Sequence, residues 1–193
     1  WGNIFVRKEW KDEDFNKILD DSANRQAFIS DIFLELDEKI LKNSSLYSMI
    51  IENKPDIVID CINTATGIAY MDIYSTTAKA IKQMESGEIE ESLAEKIIAS
   101  TYIPQLIRHV QIIYNALIDA KVKMYFKIGT SGTGGMGFNI PYTHSEERPS
   151  RVLLSKTAVG GAHSLLLFLL ARTPGGPIVK EIKPTAAIAW KKI

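Results

Sequence analysis

The residues with chemical potential gather between Met124 and Lys156. That segment reads as a strand (MYFKIG), a glycine-rich loop (TSGTGGMG), an irregular stretch and then a helix opening RVLLSKTA. Gly132-Thr-Gly-Gly-Met-Gly137 spells G-x-G-x-x-G directly after the strand. Where that spelling binds a dinucleotide, the last glycine sits in the first turn of a helix whose N–H groups hold the pyrophosphate. Here Phe138 to Pro149 follows, with two prolines and no apolar period. No strand ending in an acid lies about 20 residues on to take ribose hydroxyls. The loop therefore reads as a flexible or close-packed turn at a sheet end rather than as a phosphate loop.

Other candidates are weighed by their surroundings. Asn63-Thr-Ala-Thr-Gly67 follows a β-branched run. It stands where open α/β sheets bind ligands, beyond the carboxyl end of a strand, and it also fits a plain strand-to-helix turn. His144, beside Glu146 and Glu147, has acid–base chemistry but the setting of an exposed loop. His109 has no Cys, Asp or second His at metal-ligand spacing, so no metal site is expected. His163, among Leu165, Leu166 and Leu167, reads as packing or as part of an oligomer interface. Cys61 is expected within a buried strand, where a small apolar thiol is common, with nothing nearby to lower its pKa and make it a nucleophile.

The elements that must carry these residues alternate. GNIFVR reads as a short strand. Ser22 to Leu41 reads as one amphipathic helix by its apolar period, and SLYSMIIEN as the next. Pro55 and Asp56 break the chain. Ile57, Val58 and Ile59 follow as a strand expected to be covered on both faces. A helix is expected over about Ile68 to Met84, a break at Gly87, and helix again from Glu88 to Ala120 with a kink near Pro104. After the Met124 strand and the helix opening near Ser150, Thr173-Pro-Gly-Gly-Pro turns the chain into a strand over Ile178–Ile182. This order predicts an α/β fold: a Rossmann-like, doubly wound, mostly parallel sheet with helices on both faces.

The whole chain sets outer bounds. Its 193 residues suit one domain, and a net charge of zero gives no electrostatic case for nucleic acid or an anionic membrane. One cysteine excludes an internal disulfide, which fits a reducing, cytoplasmic setting. No secretory leader opens the chain. The longest apolar run, Leu165 to Ala171, is well short of the roughly 20 residues of a membrane span.

From Pro55 to Trp190 the chain resembles the short-chain dehydrogenase/reductase superfamily, mostly its extended, epimerase-like branch. Pro55-Asp-Ile-Val-Ile-Asp-Cys-Ile-Asn63 resembles the family's fourth strand. Ala116 to Ser131 resembles the helix and fifth strand that deliver a catalytic Ser or Thr. Leu154-Ser-Lys156-Thr-Ala resembles the end of the Tyr-x-x-x-Lys helix, and Ile182-Lys-Pro184-Thr the sixth strand and its proline. The resemblance implies NAD or NADP as cofactor and a small-molecule substrate. It assigns the catalytic lysine to Lys156, on the same helix face as a proton-carrying tyrosine four residues earlier, whose pKa its charge lowers. It assigns the substrate-holding hydroxyl to Ser131, with Thr130 as alternate. Ile62, Asn63, Thr64, Lys156, Pro184, Thr185 and Ala186 are implied to contact the cofactor.

The chain also departs from the family. Val152 stands where the tyrosine should be, so Tyr142 is the candidate substitute. The family's active-site asparagine falls near Leu106 and is not matched. Its glycine-rich cofactor loop would precede Trp1 and its substrate region would follow Ile193, so the chain is expected to be a single domain incomplete at both ends. A homo-oligomer is implied, with the helix from Ala158 to Leu170 as an assembly surface. The alternative is a catalytically impaired nucleotide-binding, regulatory or scaffold member.

Overall fold

The computed structural model describes residues 2–69, 73–128 and 151–182. Along the chain these form a short 3-10 turn (Lys8–Trp10), α1 (Phe15–Asp20), α2 (Ser22–Phe33), α3 (Glu38–Asn43), α4 (Ser45–Asn53), β1 (Ile57–Asp60) and α5 (Thr64–Ile68). There follow α6 (Ile73–Ser86), α7 (Glu91–Ala99), α8 (Tyr102–Asp119), β2 (Met124–Ile128), α9 (Arg151–Ala171) and β3 (Ile178–Ile182). Their contacts separate into two compact units, Trp1–Asn53 with Tyr70–Ala116, and Lys54–Ala69 with Leu117–Ile193.

Helices build the first unit, and local hydrogen bonds decide where they stop. GNIFVR is not a strand. The Asn3 side chain accepts from the Phe5 N–H at 2.9 Å and turns the chain, and only Arg7 pairs, with Ser44, in an isolated antiparallel bridge. The expected helix over Ser22 to Leu41 is two helices. Asp37 caps α3 by accepting from the Ile40 N–H at 2.7 Å. Buried Arg108 donates to the carbonyls of Ile32 and Leu34, which end α2. The break between α7 and α8 falls at Ser100 and Thr101, not at Pro104. That proline sits in the first turn of α8, where a missing N–H costs nothing. Gly87 ends α6 at φ +99°, a conformation open to glycine. Val6, Trp10, Ile18, Leu19, Phe28, Ile32 and Ala99 form one core. Arg25 ties α2 to α7 through Glu95 at 2.6 Å.

The second unit holds the sheet. Its order is β1-β2-β3 and both pairings are parallel, with Asp60 opposite Lys127 and Ile128 opposite Ile182. The class is α/β, as the alternating pattern predicts. α9 packs against β3 and α5. It covers the sheet face carrying Tyr125, Lys127 and Glu181: Ser164 of α9 donates to Glu181 at 2.7 Å. Residues alternate across a strand, so Ile57, Ile59, Phe126, Ile178 and Ile182 point the other way. Ile57 is 52% and Ile59 62% exposed, which corrects the expectation that β1 is covered on both faces. Cys61 is exposed as well. It lies past the end of β1 rather than within the strand, which corrects the expectation of a buried strand cysteine.

α9 is also longer than its apolar core suggests. With 21 residues and a mean hydropathy of 1.5 over its most apolar window, it is long and apolar enough to cross a membrane by composition, and 28% of that window is buried. Its inner side, including Leu153, Val159, His163, Leu167 and Leu170, is buried, while Leu165, Phe168 and Leu169 face outward.

The two faces should respond differently to mutation. Ile59→Thr keeps a β-branched side chain at an exposed position and is expected to shift unfolding stability by less than about 0.5 kcal/mol. Leu167→Ala, on the buried inner side of α9, should cost about 2–5 kcal/mol in urea unfolding. A loss above 2 kcal/mol for Ile59→Thr would show that this face is covered.

Candidate functional site

Parallel pairing brings the carboxyl ends of β1, β2 and β3 to one side, and β1 ends there on a charge. Tyr125 and Lys127 are two apart on β2, so both side chains enter the same face. That face is a buried polar cluster. The Tyr125 hydroxyl donates to Asp60 Oδ2 at 2.6 Å. Asp60 Oδ1 accepts from the Ile62 N–H at 2.9 Å and from Lys127 Nζ at 3.0 Å. Lys127 Nζ also donates to the Ile62 carbonyl at 2.6 Å and to Thr64 Oγ1 at 3.1 Å. An ammonium has three protons, and here each has an acceptor. The Thr64 N–H returns to the Ile62 carbonyl at 2.9 Å. Asn63 then caps α5 by accepting from the Thr66 N–H at 3.1 Å.

Tyr125 is fully buried and Lys127 and Asp60 are 4% and 8% exposed. Charges so placed are tolerable only when paired and fully hydrogen-bonded, and removing one partner of such a pair costs about 3–5 kcal/mol. Burial pushes the Asp60 carboxyl up. The Lys127 charge and the hydrogen bonds from Tyr125 and the Ile62 N–H outweigh that and hold it below the usual carboxylate range. Asp60 is therefore ionised at neutral pH. Burial and then the neighbouring Asp60 charge drive the Tyr125 phenol upward, so its hydroxyl remains a donor and does not carry protons. His163 of α9 lies buried beside the cluster. Burial, then the Lys127 charge, push its pKa down to about 4 against the opposing pull of Asp60, so it is neutral at pH 7.

Of the residues singled out from sequence, Ile62, Asn63 and Thr64 form the turn after β1. Ile62 is exposed, Asn63 half-buried, and Thr64 turned inward with its hydroxyl on Lys127. Lys156 is half-buried in the second turn of α9, with exposed Val152 one turn before it. It forms no ion pair among the described residues. His109 is buried with its ring 5.0 Å from that of Phe5. Thr130, Ser131, Tyr142, His144, Pro184, Thr185 and Ala186, and the GTGGMG loop, lie outside the described residues.

Sequence reasoning passed over Asp60, Tyr125 and Lys127. The signal was present: an acid closes one apolar strand (IVID) and a lysine interrupts the other (MYFKI). Two opposite charges on the buried face of neighbouring strands must find each other, because neither can be left unpaired there. Searches against family models, curated proteins and solved structures gave no match to this chain.

The depressed His163 pKa has a signed consequence. Between pH 4 and the ordinary 6.5, the unfolded chain binds the proton and the folded one does not. The stability His163 contributes is thus fully present above 6.5 and lost as pH falls toward 4, by at most about 3 kcal/mol. The Asp60 contribution disappears at still lower pH, below the ordinary carboxylate value of 3.8. Urea midpoints at pH 7, 5.5 and 4 should fall steadily for the parent and much less for His163→Gln. An equal slope in both would contradict this assignment.

Proposed function

We propose that this chain is an NAD(P)-dependent oxidoreductase or epimerase-like enzyme of the short-chain dehydrogenase/reductase type. The sheet of the second unit is read as part of a Rossmann-like, doubly wound fold. The observation that carries the proposal is the pinned turn at the end of β1. There Ile62 to Thr64 are tied by Lys127 and Asp60 at the carboxyl end of a parallel sheet, the position at which such sheets receive nucleotides. The residues present suit that ligand. Ile62 is exposed and the Asn63 carboxamide half-buried at the turn, and Lys156 supplies a cation with no ion pair among the described residues.

In this reading Ile62, Asn63 and Thr64 line the NAD or NADP site with Pro184, Thr185 and Ala186, and Lys156 binds ribose hydroxyls. When bound, the nicotinamide supplies or accepts a hydride. Ser131, or Thr130 in its place, holds the oxygen of a carbonyl or hydroxyl substrate. Tyr142 gives or takes that oxygen's proton, a role that Tyr125 is barred from by its burial and its bond to Asp60. A cytoplasmic homo-oligomer, with neither nucleic acid nor membrane as partner, completes the reading. The outward Leu165, Phe168 and Leu169 of α9 support self-association.

A second reading rests on Val152. It stands four residues before Lys156 on α9, where the family's tyrosine would share a face with the lysine. A valine there favours a nucleotide-binding or regulatory member that has lost turnover. Once a turnover is measured, Tyr142→Phe separates the two: a loss of about 100-fold or more marks Tyr142 as the proton carrier, and an unchanged rate removes it from that role.

Fluorescence titration of the full-length protein with NADH and NADPH tests the main proposal. Saturable binding of one of them is expected, weakened at least about tenfold, or about 1.4 kcal/mol, by Lys156→Met. No binding of either nucleotide would overturn the proposal.

A further inference from the structure

We propose that Lys127 and Asp60 are positioning residues for the nucleotide-facing turn, fixing the peptide groups of Ile62 so that the exposed Ile62 and half-buried Asn63 side chains are held in the orientation the ligand meets. The inference rests on the nucleotide-binding reading above and adds to it two residues that do not touch the ligand. Lys127 Nζ reaches out of β2 and grips the turn at two points, the Ile62 carbonyl and Thr64 Oγ1. Asp60 grips it from β1 through the Ile62 N–H. Both peptide groups flanking Ile62 are therefore anchored to buried charges, the N–H to a carboxylate and the carbonyl to an ammonium.

Such anchoring exceeds what the turn needs to exist. A β-strand enters a helix with a side-chain cap alone, and Asn63 already supplies one to α5. Charge-assisted hydrogen bonds are about twice as strong as neutral ones, and here they converge on one exposed residue beyond the strand. Pre-set backbone orientation removes the ordering cost that a mobile turn would pay on binding. Tyr125 belongs to the same cluster, but its hydroxyl bonds Asp60 Oδ2, the carboxylate oxygen that the Ile62 N–H does not use. It supports the charges without holding Ile62 or Thr64, which makes it the natural control.

The test compares nucleotide affinity with stability across three variants of the full-length protein, at a temperature where circular dichroism shows each fully folded. Lys127→Met keeps the length of the side chain and removes both grips. It is expected to weaken NADH or NADPH binding at least about tenfold. Thr64→Val removes one grip at constant volume and should weaken binding about threefold. Tyr125→Phe should lower the urea midpoint yet leave affinity within about twofold. If Lys127→Met does not fold, Thr64→Val against Tyr125→Phe carries the comparison. Affinity that follows stability alike in the Lys127 or Thr64 variant and in Tyr125→Phe would reduce the cluster to a structural role and overturn the inference. So would parent-like affinity in Lys127→Met or, where that variant does not fold, in Thr64→Val. A parent protein that binds neither nucleotide overturns the functional proposal itself, an outcome distinct from both.

Discussion

A lysine ammonium buried inside a parallel sheet is the constraint on which the second unit depends. Lys127 is almost completely removed from water, and an unpaired ammonium there would cost more than one such unit can lose. Everything near it is arranged to prevent that. The parallel register sets Asp60 across from it. The chain after β1 turns so that the Ile62 carbonyl and Thr64 hydroxyl come within reach. Tyr125 occupies the other carboxylate oxygen. Once these are satisfied, the turn leading into α5 has little freedom left, and the end of β1 becomes a fixed surface.

The arrangement sets charged and polar groups beside Val58 and Val179 on the covered face of the sheet. The face under α9 carries Asp60, Tyr125, Lys127 and Glu181, while the isoleucines of β1 and β3 face outward. α9 matches it. The helix sets a histidine kept neutral by burial and by the Lys127 charge against the cluster, and leaves Leu165, Phe168 and Leu169 outside. Stability under α9 thus rests on complementary polar groups as well as on apolar contact, and it weakens in acid for that reason.

Much of this fold was legible in the sequence where the signal is local. Pro55 and Asp56 mark the start of β1, MYFKI and IVKEI read directly as β2 and β3, and SLYSMIIEN as α4. The misreadings fell where composition and period leave out the hydrogen bond or covering layer that decides. The split between α2 and α3 depends on Arg108, from α8, taking the carbonyls of Ile32 and Leu34. GNIFVR has a strand's composition, yet an asparagine bond within three residues bends it. The exposure of Ile57 and Ile59 could not be read from a β-branched run, because the same run fits one covered face or two. In the candidate site, Asn63 and Thr64 were visible as a sheet-end turn. The Asp60–Lys127 pair that holds them shows in the sequence only as an acid and a lysine in two apolar strands; that the two stand opposite each other follows from the β1–β2 register, which those short strands do not encode locally.

The claim that buried charges fix the turn is tested most directly at the amide of Ile62 in the unaltered protein. Native-state hydrogen exchange should show this N–H, bonded to Asp60 Oδ1, opening with a free energy close to that of the Tyr125 amide inside β2. Exchange at nearly the rate of an unstructured loop would contradict the account, since a turn that opens freely is not held by Asp60 and Lys127.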